Sequence, residues 1–194
     1  MKTNKDIKKV YFEKPGNMLY PLPAVMVSCG RKGEKPNIVT IAWTGTICSD
    51  PPMAFISVRP ERFSYPIIKE TGEFVINLTT EELTHSMDYC GCVSGSKVDK
   101  FEKCGLTPEE SKFVSCPGIK EAPVSIECKV TQVIPLGSHD MFLAEVVGVK
   151  VDSRYFDEKG VFHLEKAGLI AYDHGKYNAL GEMIGSFGYS VRKK

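Results

Sequence analysis

Apolar positions along this chain fall in short runs of β-branched and aromatic residues, cut by proline and glycine. Ala24 to Cys29 (AVMVSC) reads as a strand. A turn-rich loop, Gly30 to Pro36, separates it from Asn37 to Thr44 (NIVTIAWT), and the two runs form a predicted hairpin. Ser49-Asp50-Pro51-Pro52 breaks the chain, and Met53 to Val58 resumes it as a strand. Pro51 and Pro52 lack amide donors, which places them before that strand and not within a central one.

Ser64 to Thr71 (SYPIIKET) has room for a short helix, with Ser64 as N-cap, Pro66 in the first turn and Gly72 as the stop. Glu73 to Leu78 (EFVINL) is a strand. Thr79 followed by Glu82 has the form of a capping box for a helix reaching about Tyr89. A second helical piece covers Lys97 to Lys103. Val124 to Ile134 and Met141 to Val151 are the longest β-like runs, joined by a loop from Pro135 to Asp140, and a short strand follows near Leu169 to Tyr172. Strands come in groups and do not alternate with helices. That pattern predicts a mostly β, mostly antiparallel barrel or sandwich with short helices, and it argues against a doubly wound parallel sheet. A length of 194 residues fits one domain, residues 1–194, without internal repeats or an evident linker.

Composition narrows the classes of function. Apolar residues make up 42% of the chain, which suits a packed core. The 25 basic residues face 24 acidic ones, so bulk charge does not draw the protein to nucleic acid. The lysines at the start (Lys2, Lys5, Lys8, Lys9) and the Arg192-Lys193-Lys194 end read as solvated tails. No apolar run has the length of a membrane helix, and the charged N-terminus lacks the apolar core of a secretory signal, so a cytoplasmic location is expected. In a reducing cytosol the 7 cysteines would be free thiols packed as small apolar groups.

Familiar catalytic signatures are missing: no G-x-S-x-G, H-E-x-x-H, P-loop or Rossmann glycine pattern is present. Cys90-Gly91-Cys92 could form a redox pair or hold a metal, but C-x-C without a second cluster lacks the ligands of a closed site. His85, His139, His163 and His174 do not fall at metal-ligand spacing, and no metal is expected. A denser group lies between residues 40 and 65: Thr40, Trp43, Thr44, Thr46, Ser49 and Ser57 near strand ends, then Arg59, Arg62 and Ser64 leading into a helix start. Two guanidinium forks, a hydroxyl and helix-start amides suit a phosphate. The same arginines could equally be surface groups paired with Glu61 and Glu70.

Residues 37 to 78, NIVTIAWTGTICSDPPMAFISVRPERFSYPIIKETGEFVINL, resemble the flavin reductase-like family of FMN-binding split barrels, and its flavoredoxin branch most. Lys97 to Phe101, Gly137-Ser138-His139-Asp140 with Glu145-Val146 beyond, and the end GKYNALGEMIGSFGYSVRK agree with the family in the same order. The resemblance implies a six-stranded Greek-key split β-barrel, a homodimer, and FMN bound without a covalent bond. It implies electron transfer from NADH or NADPH through FMN to an acceptor or, in the flavoredoxin manner, exchange with a redox protein without a nicotinamide. Carried over by position, Arg59, Arg62 and Ser64 serve the phosphate. Trp43, Thr44, Gly45 and Thr46 lie against the ring, and Ser49, Asn77 and Lys97 sit near the cofactor. His139 contacts the nicotinamide or assists proton transfer. Trp43-Thr44-Gly45 is bulkier than the Asn-Ser type of many dedicated flavin reductases, which favours a tightly held flavin over a substrate flavin.

Overall fold

The computed structural model describes residues 7–192. Of the expected charged tails, Lys8, Lys9 and Arg192 are exposed, and Lys2, Lys5, Lys193 and Lys194 lie outside the described residues. In chain order the elements are β1 (Leu22–Pro23), β2 (Val25–Cys29), β3 (Asn37–Ile41), β4 (Thr44–Ser49), β5 (Pro52–Val58), α1 (Ser64–Thr71), β6 (Glu73–Asn77), α2 (Thr84–Cys92) and α3 (Lys100–Cys104). There follow β7 (Pro108–Glu109), β8 (Gly118–Ile119), β9 (Val124–Pro135), β10 (Asp140–Val151), β11 (Ile170–Asp173) and β12 (Lys176–Ala179), with short 3₁₀ turns among the later loops.

The main sheet runs β3-β2-β6-β9-β10-β5-β4, antiparallel throughout, and curls into a half-barrel. It holds seven strands against the six implied by the resemblance. The extra one arises because the predicted strand 37–44 does not run straight. It bends at Ala42-Trp43, where the Thr44 amide donates to the Ala42 carbonyl (3.0 Å), and continues as β4. The Ser57 amide donates to the Trp43 carbonyl (2.9 Å), extending the β4–β5 ladder into the bend. One bent strand therefore supplies both edges of the sheet, and β3 comes back beside β5.

Side chains of β2 alternate between two cores, as the period of a strand requires. Val25, Val27 and Cys29 point into the barrel with Ile56, Phe74 and Phe142, and α1 plugs one end with Ile67 and Ile68. Ala24 and Met26 pack outside with Met87 and Cys90 of α2 and Phe101 of α3. Both faces of β2 are thus buried, which explains its unbroken apolar run.

The helix starts differ from expectation. Ser64 is the first helical residue and not the N-cap, and Phe63 holds the cap position without a side-chain bond. The Thr79–Glu82 capping box does not form. Thr80 takes its place, its Oγ1 accepting from the Leu83 amide (3.4 Å), and α2 begins at Thr84 and runs to Cys92. Thr79 Oγ1 is buried without a partner. The second helical piece starts at Lys100, capped by Asp99, which accepts from the Glu102 amide (3.2 Å).

A second, three-stranded sheet has the order β1-β11-β12. The β11–β12 turn is His174-Gly175, both at positive φ (44° and 86°), the geometry of the tight hairpin turn that matches strand twist. Past it, Leu180, Met183, Ile184 and Phe187 lie exposed and complete no core of their own chain. No helix of the described residues is long and apolar enough to cross a membrane.

Candidate functional site

The Ala42-Trp43 bend, the ends of β5 and α2, and the β11–β12 hairpin enclose a cleft of about 340 Å³. Its aromatic lobe is built by Trp43, His139, Tyr172 and Tyr177. The Trp43 and His139 rings lie 7° from parallel with centroids 6.4 Å apart, and Tyr172 stands 6.4 Å from Trp43 at 48°. Tyr177 hydrogen-bonds Asp88 on α2 (2.7 Å), tying the hairpin wall to the helix. Gly91 lets α2 approach β3 closely, since a Cβ there would meet Thr40 Cβ at 3.1 Å.

Arg59 and Arg62 line both this lobe and an adjoining polar one of about 420 Å³, shared with Asn37, Ser64, Gly95 and Lys100. Asn37 Nδ2 donates to Ser64 Oγ (2.6 Å), leaving the serine proton for another acceptor. A Cβ on Gly95 would fall 2.0 Å from Asn37 Oδ1 and 2.8 Å from Phe63, so only glycine keeps this recess open. Arg59 meets Glu61 at 3.5 Å, and Arg62 donates to the Gly91 carbonyl (3.3 Å). Glu70, the other carboxylate considered for these arginines, pairs instead with Arg31 (2.7 Å).

Electrostatics follow from the arrangement. Partial burial, reinforced by Arg59 and Arg62, holds the His139 imidazole below its usual range, while Glu61 acts in the opposite sense. His139 is therefore neutral at neutral pH, with Nδ1 engaged by Ser138 Oγ (2.9 Å). Tyr177 is pushed upward by burial and by Asp88, so its phenol stays protonated.

The structure brings together Trp43, Arg59, Arg62, Ser64 and His139 of the residues singled out in the sequence. Others fall elsewhere. Asn77 is fully buried, with its amide spent on Met26 O, Ser28 Oγ, Val75 O, the Ile119 amide and Ser125 Oγ, so no surface remains for a cofactor. Lys97 is exposed ahead of α3 and lines neither lobe; the lysine in the polar lobe is Lys100, one helical turn later. Thr44 is buried and donates to the Phe55 carbonyl (2.6 Å). Gly45 makes its close approach to the Phe55 ring, where a Cβ would sit at 3.2 Å. Thr46 and Ser49 are exposed on the edge strand β4, outside the cleft of the single chain.

Sequence reasoning missed Tyr172, Tyr177 and Asp88. The signal for the tyrosines was present: His174-Gly175 between two alternating runs marks a hairpin. All 7 cysteines are free. Cys92 lines the aromatic lobe, and Cys90 Sγ lies 3.9 Å from Cys104 Sγ. No group of three or more His, Cys, Asp or Glu side chains among the described residues is placed to hold a metal ion.

Comparison with known proteins agrees with this geometry. An uncharacterized protein of Aquifex aeolicus is 36% identical over 172 residues, which cover 85% of this chain and 88% of that one. The solved flavoredoxin of Desulfovibrio vulgaris (Miyazaki F) superposes with a TM-score of 0.87 at 30% identity, covering 96% of this chain and 100% of its own. The flavoredoxin from Methanosarcina acetivorans shares the fold, with a TM-score of 0.84 at 24% identity over 94% of this chain and 97% of its own. Residues 18–181 match the flavin reductase like domain, and with the split-barrel sheet this establishes that the chain belongs to the flavin reductase-like flavoprotein family.

Proposed function

We propose that the chain binds FMN in this cleft and, as a cytoplasmic homodimer, moves electrons from NADH or NADPH to an acceptor. The observation that carries this reading is the junction of a cationic recess and an aromatic lobe, bridged by Arg59 and Arg62. Bound FMN would supply reversible uptake and release of electrons. Arg59, Arg62 and the Ser64 hydroxyl offer donors to a phosphate, and charge-assisted bonds of this kind are the stronger class. Trp43, Tyr172 and Tyr177 offer apolar faces to a flat ring and exclude water from it. His139, neutral and partly buried, can hold or pass a proton at Nε2 while Ser138 fixes Nδ1. Exposed apolar arms at Val10, Tyr11, Phe12 and again at Met183, Ile184 and Phe187 support the dimer.

The test is an absorption spectrum of the purified protein, recorded without oxygen before and after NADH or NADPH. Visible flavin bands that bleach on adding either donor support the reading. A protein that retains no added FMN refutes it. A second reading, an electron carrier of the flavoredoxin type, is favoured by the likeness to the Desulfovibrio vulgaris protein. Flavin bands that dithionite bleaches and both nicotinamides leave untouched would select the carrier.

A further inference from the structure

Asp140 stands at the foot of β10, next to His139 in the chain, and it is held from two directions. Its backbone is paired with Val58, the last residue of β5. Its carboxylate accepts from the Tyr65 hydroxyl on α1 (2.5 Å), at the short end of the range for charge-assisted bonds. Tyr65 Oη in turn accepts from Lys69 Nζ (3.2 Å), one helical turn on. Ammonium, phenol and carboxylate thus form a chain in which each bond polarises the next. The Tyr65 ring meets Phe142 edge-on, with centroids 5.6 Å apart and planes at 76°. Phe142 lies two residues beyond Asp140 and so shares its face of β10. Tyr65 and Asp140 are both half-buried, and the packed ring holds the hydroxyl in one geometry.

Between these two attachments runs the segment 58–65, which carries Arg59, Arg62 and Ser64. Two turns lie end to end within it: the Arg62 amide donates to the Arg59 carbonyl (3.0 Å), and the Tyr65 amide to the Arg62 carbonyl (2.9 Å). Asp140 closes this loop at both ends, by its backbone at Val58 and by its side chain at Tyr65. The same residue fixes its neighbour His139, whose ring turns the other way and lies parallel to Trp43. We propose that Tyr65 and Asp140 are positioning residues, whose bond sets the arginine loop and His139 in register across the cleft. They act through their chain neighbours and line neither lobe themselves. This assignment rests on the reading of the cleft as a flavin site.

Three full-length variants test the bond. Tyr65→Phe keeps the ring on Phe142 and removes the bond without a change of charge. Asp140→Ala removes it from the other side, while Asp140→Asn carries the same net charge as alanine and keeps an acceptor for the phenol. Helix α1 stays seated by Ile67 and Ile68, and breaking the bond from either side covers a variant that fails to fold. FMN affinity, read by fluorescence titration, falls about threefold or more in Tyr65→Phe and Asp140→Ala and stays within about twofold in Asp140→Asn. Loss of a negative charge near an anion would by itself tighten binding, so weaker binding by the alanine variant reports geometry. Unchanged affinity in both broken variants, or an asparagine variant as weak as alanine, overturns the proposal and leaves the flavin reading standing. The ligand-free protein gives an independent readout, the titration of the His139 imidazole followed by NMR. Burial, Arg59 and Arg62 hold that midpoint low, against Glu61. It rises in Tyr65→Phe as the loop loosens, while that of His163 stays in place. A His139 midpoint that does not move overturns the proposal whatever the FMN titrations show. A wild-type protein that binds no FMN overturns the flavin reading, and the His139 titration then decides the role of the bond alone.

Discussion

Asn77→Ala separates a structural asparagine from a cofactor ligand. The wild-type amide gives its protons to Met26 O (3.0 Å), Ser28 Oγ (3.0 Å) and Val75 O (3.2 Å). Its oxygen accepts from the Ile119 amide (2.9 Å) and Ser125 Oγ (2.8 Å). Ser28 keeps a second bond, to the Pro117 carbonyl (2.6 Å), so it loses least. Truncation strands the Ile119 amide and the Ser125 hydroxyl, both buried. Each orphaned donor costs about 1–3 kcal/mol, which gives about 2–6 kcal/mol together. Domains of this kind hold only about 5–15 kcal/mol, so the variant sits close to unfolding. Urea unfolding reads the effect as a lower midpoint at unchanged slope. Flavin titration of the folded protein should show affinity within about twofold of wild type. A cost below about 1 kcal/mol, or a large loss of flavin affinity in a variant shown to be folded, would refute the reasoning and return Asn77 to the binding site.

Arg59→Ala and Arg62→Ala should each weaken FMN by about 1.5–3 kcal/mol and leave riboflavin little changed; unaltered FMN titrations for both would move the phosphate elsewhere. His139 has a lowered folded-state pKa, so the native protein binds fewer protons than the unfolded chain as pH falls through about 6.5, and stability declines on acidification; urea midpoints at several pH values should lose that component in His139→Gln. His163 has the opposite sign, its pKa raised by Asp157 and Glu165. Its contribution is full below about pH 6.5 and disappears as pH rises through the folded value, so the same titration of His163→Gln should lose stability mainly on the acid side. Tyr177→Phe removes a partly exposed bond to Asp88 and should lower Tm by a few degrees, about 1 kcal/mol; an unchanged melting curve would count against the latch between β12 and α2.

Local pattern made the strands and α1 legible because each is set by neighbours in sequence. The runs at 25–29, 52–58, 73–77, 124–135 and 140–151 are strands within a residue or two of expectation. What escaped depends on distance along the chain. The Ala42-Trp43 bend is forced by closure of the sheet, and NIVTIAWT carries no breaker to announce it. The α2 start moved because Thr80, and not Thr79, faces the helix; Thr79 is drawn toward β11, where its carbonyl accepts from the Ile170 amide (3.3 Å). At the site, the cluster from Trp43 to Ser64 was visible as chemistry close in sequence. Tyr172, Tyr177 and Lys100 arrive from remote elements, and only the packing of α2, α3 and the small sheet onto β3 brings them to the arginines.

The small β1-β11-β12 sheet gives the cleft two walls of unequal firmness. The barrel wall is continuous with the main core, whereas β12 is exposed along its length. The hairpin joins the body chiefly through β11, by the Thr80–Leu169 bridge, the Glu81 and Ile170 amide bonds to the Gly168 and Thr79 carbonyls, and the buried Ile170 side chain, whereas β12 is tied by the Tyr177–Asp88 bond. Segments with little buried surface tend to open locally below the cost of global unfolding, so the β12 amides are expected to exchange with solvent faster than those of the main sheet. Opening uncovers the aromatic lobe and leaves the arginine recess intact, since that recess is built from β3, α2, α3 and the segment before α1. If the proposed flavin occupies this cleft, its ring lies against the hairpin wall, and adding FMN should slow hydrogen exchange at the β11–β12 amides.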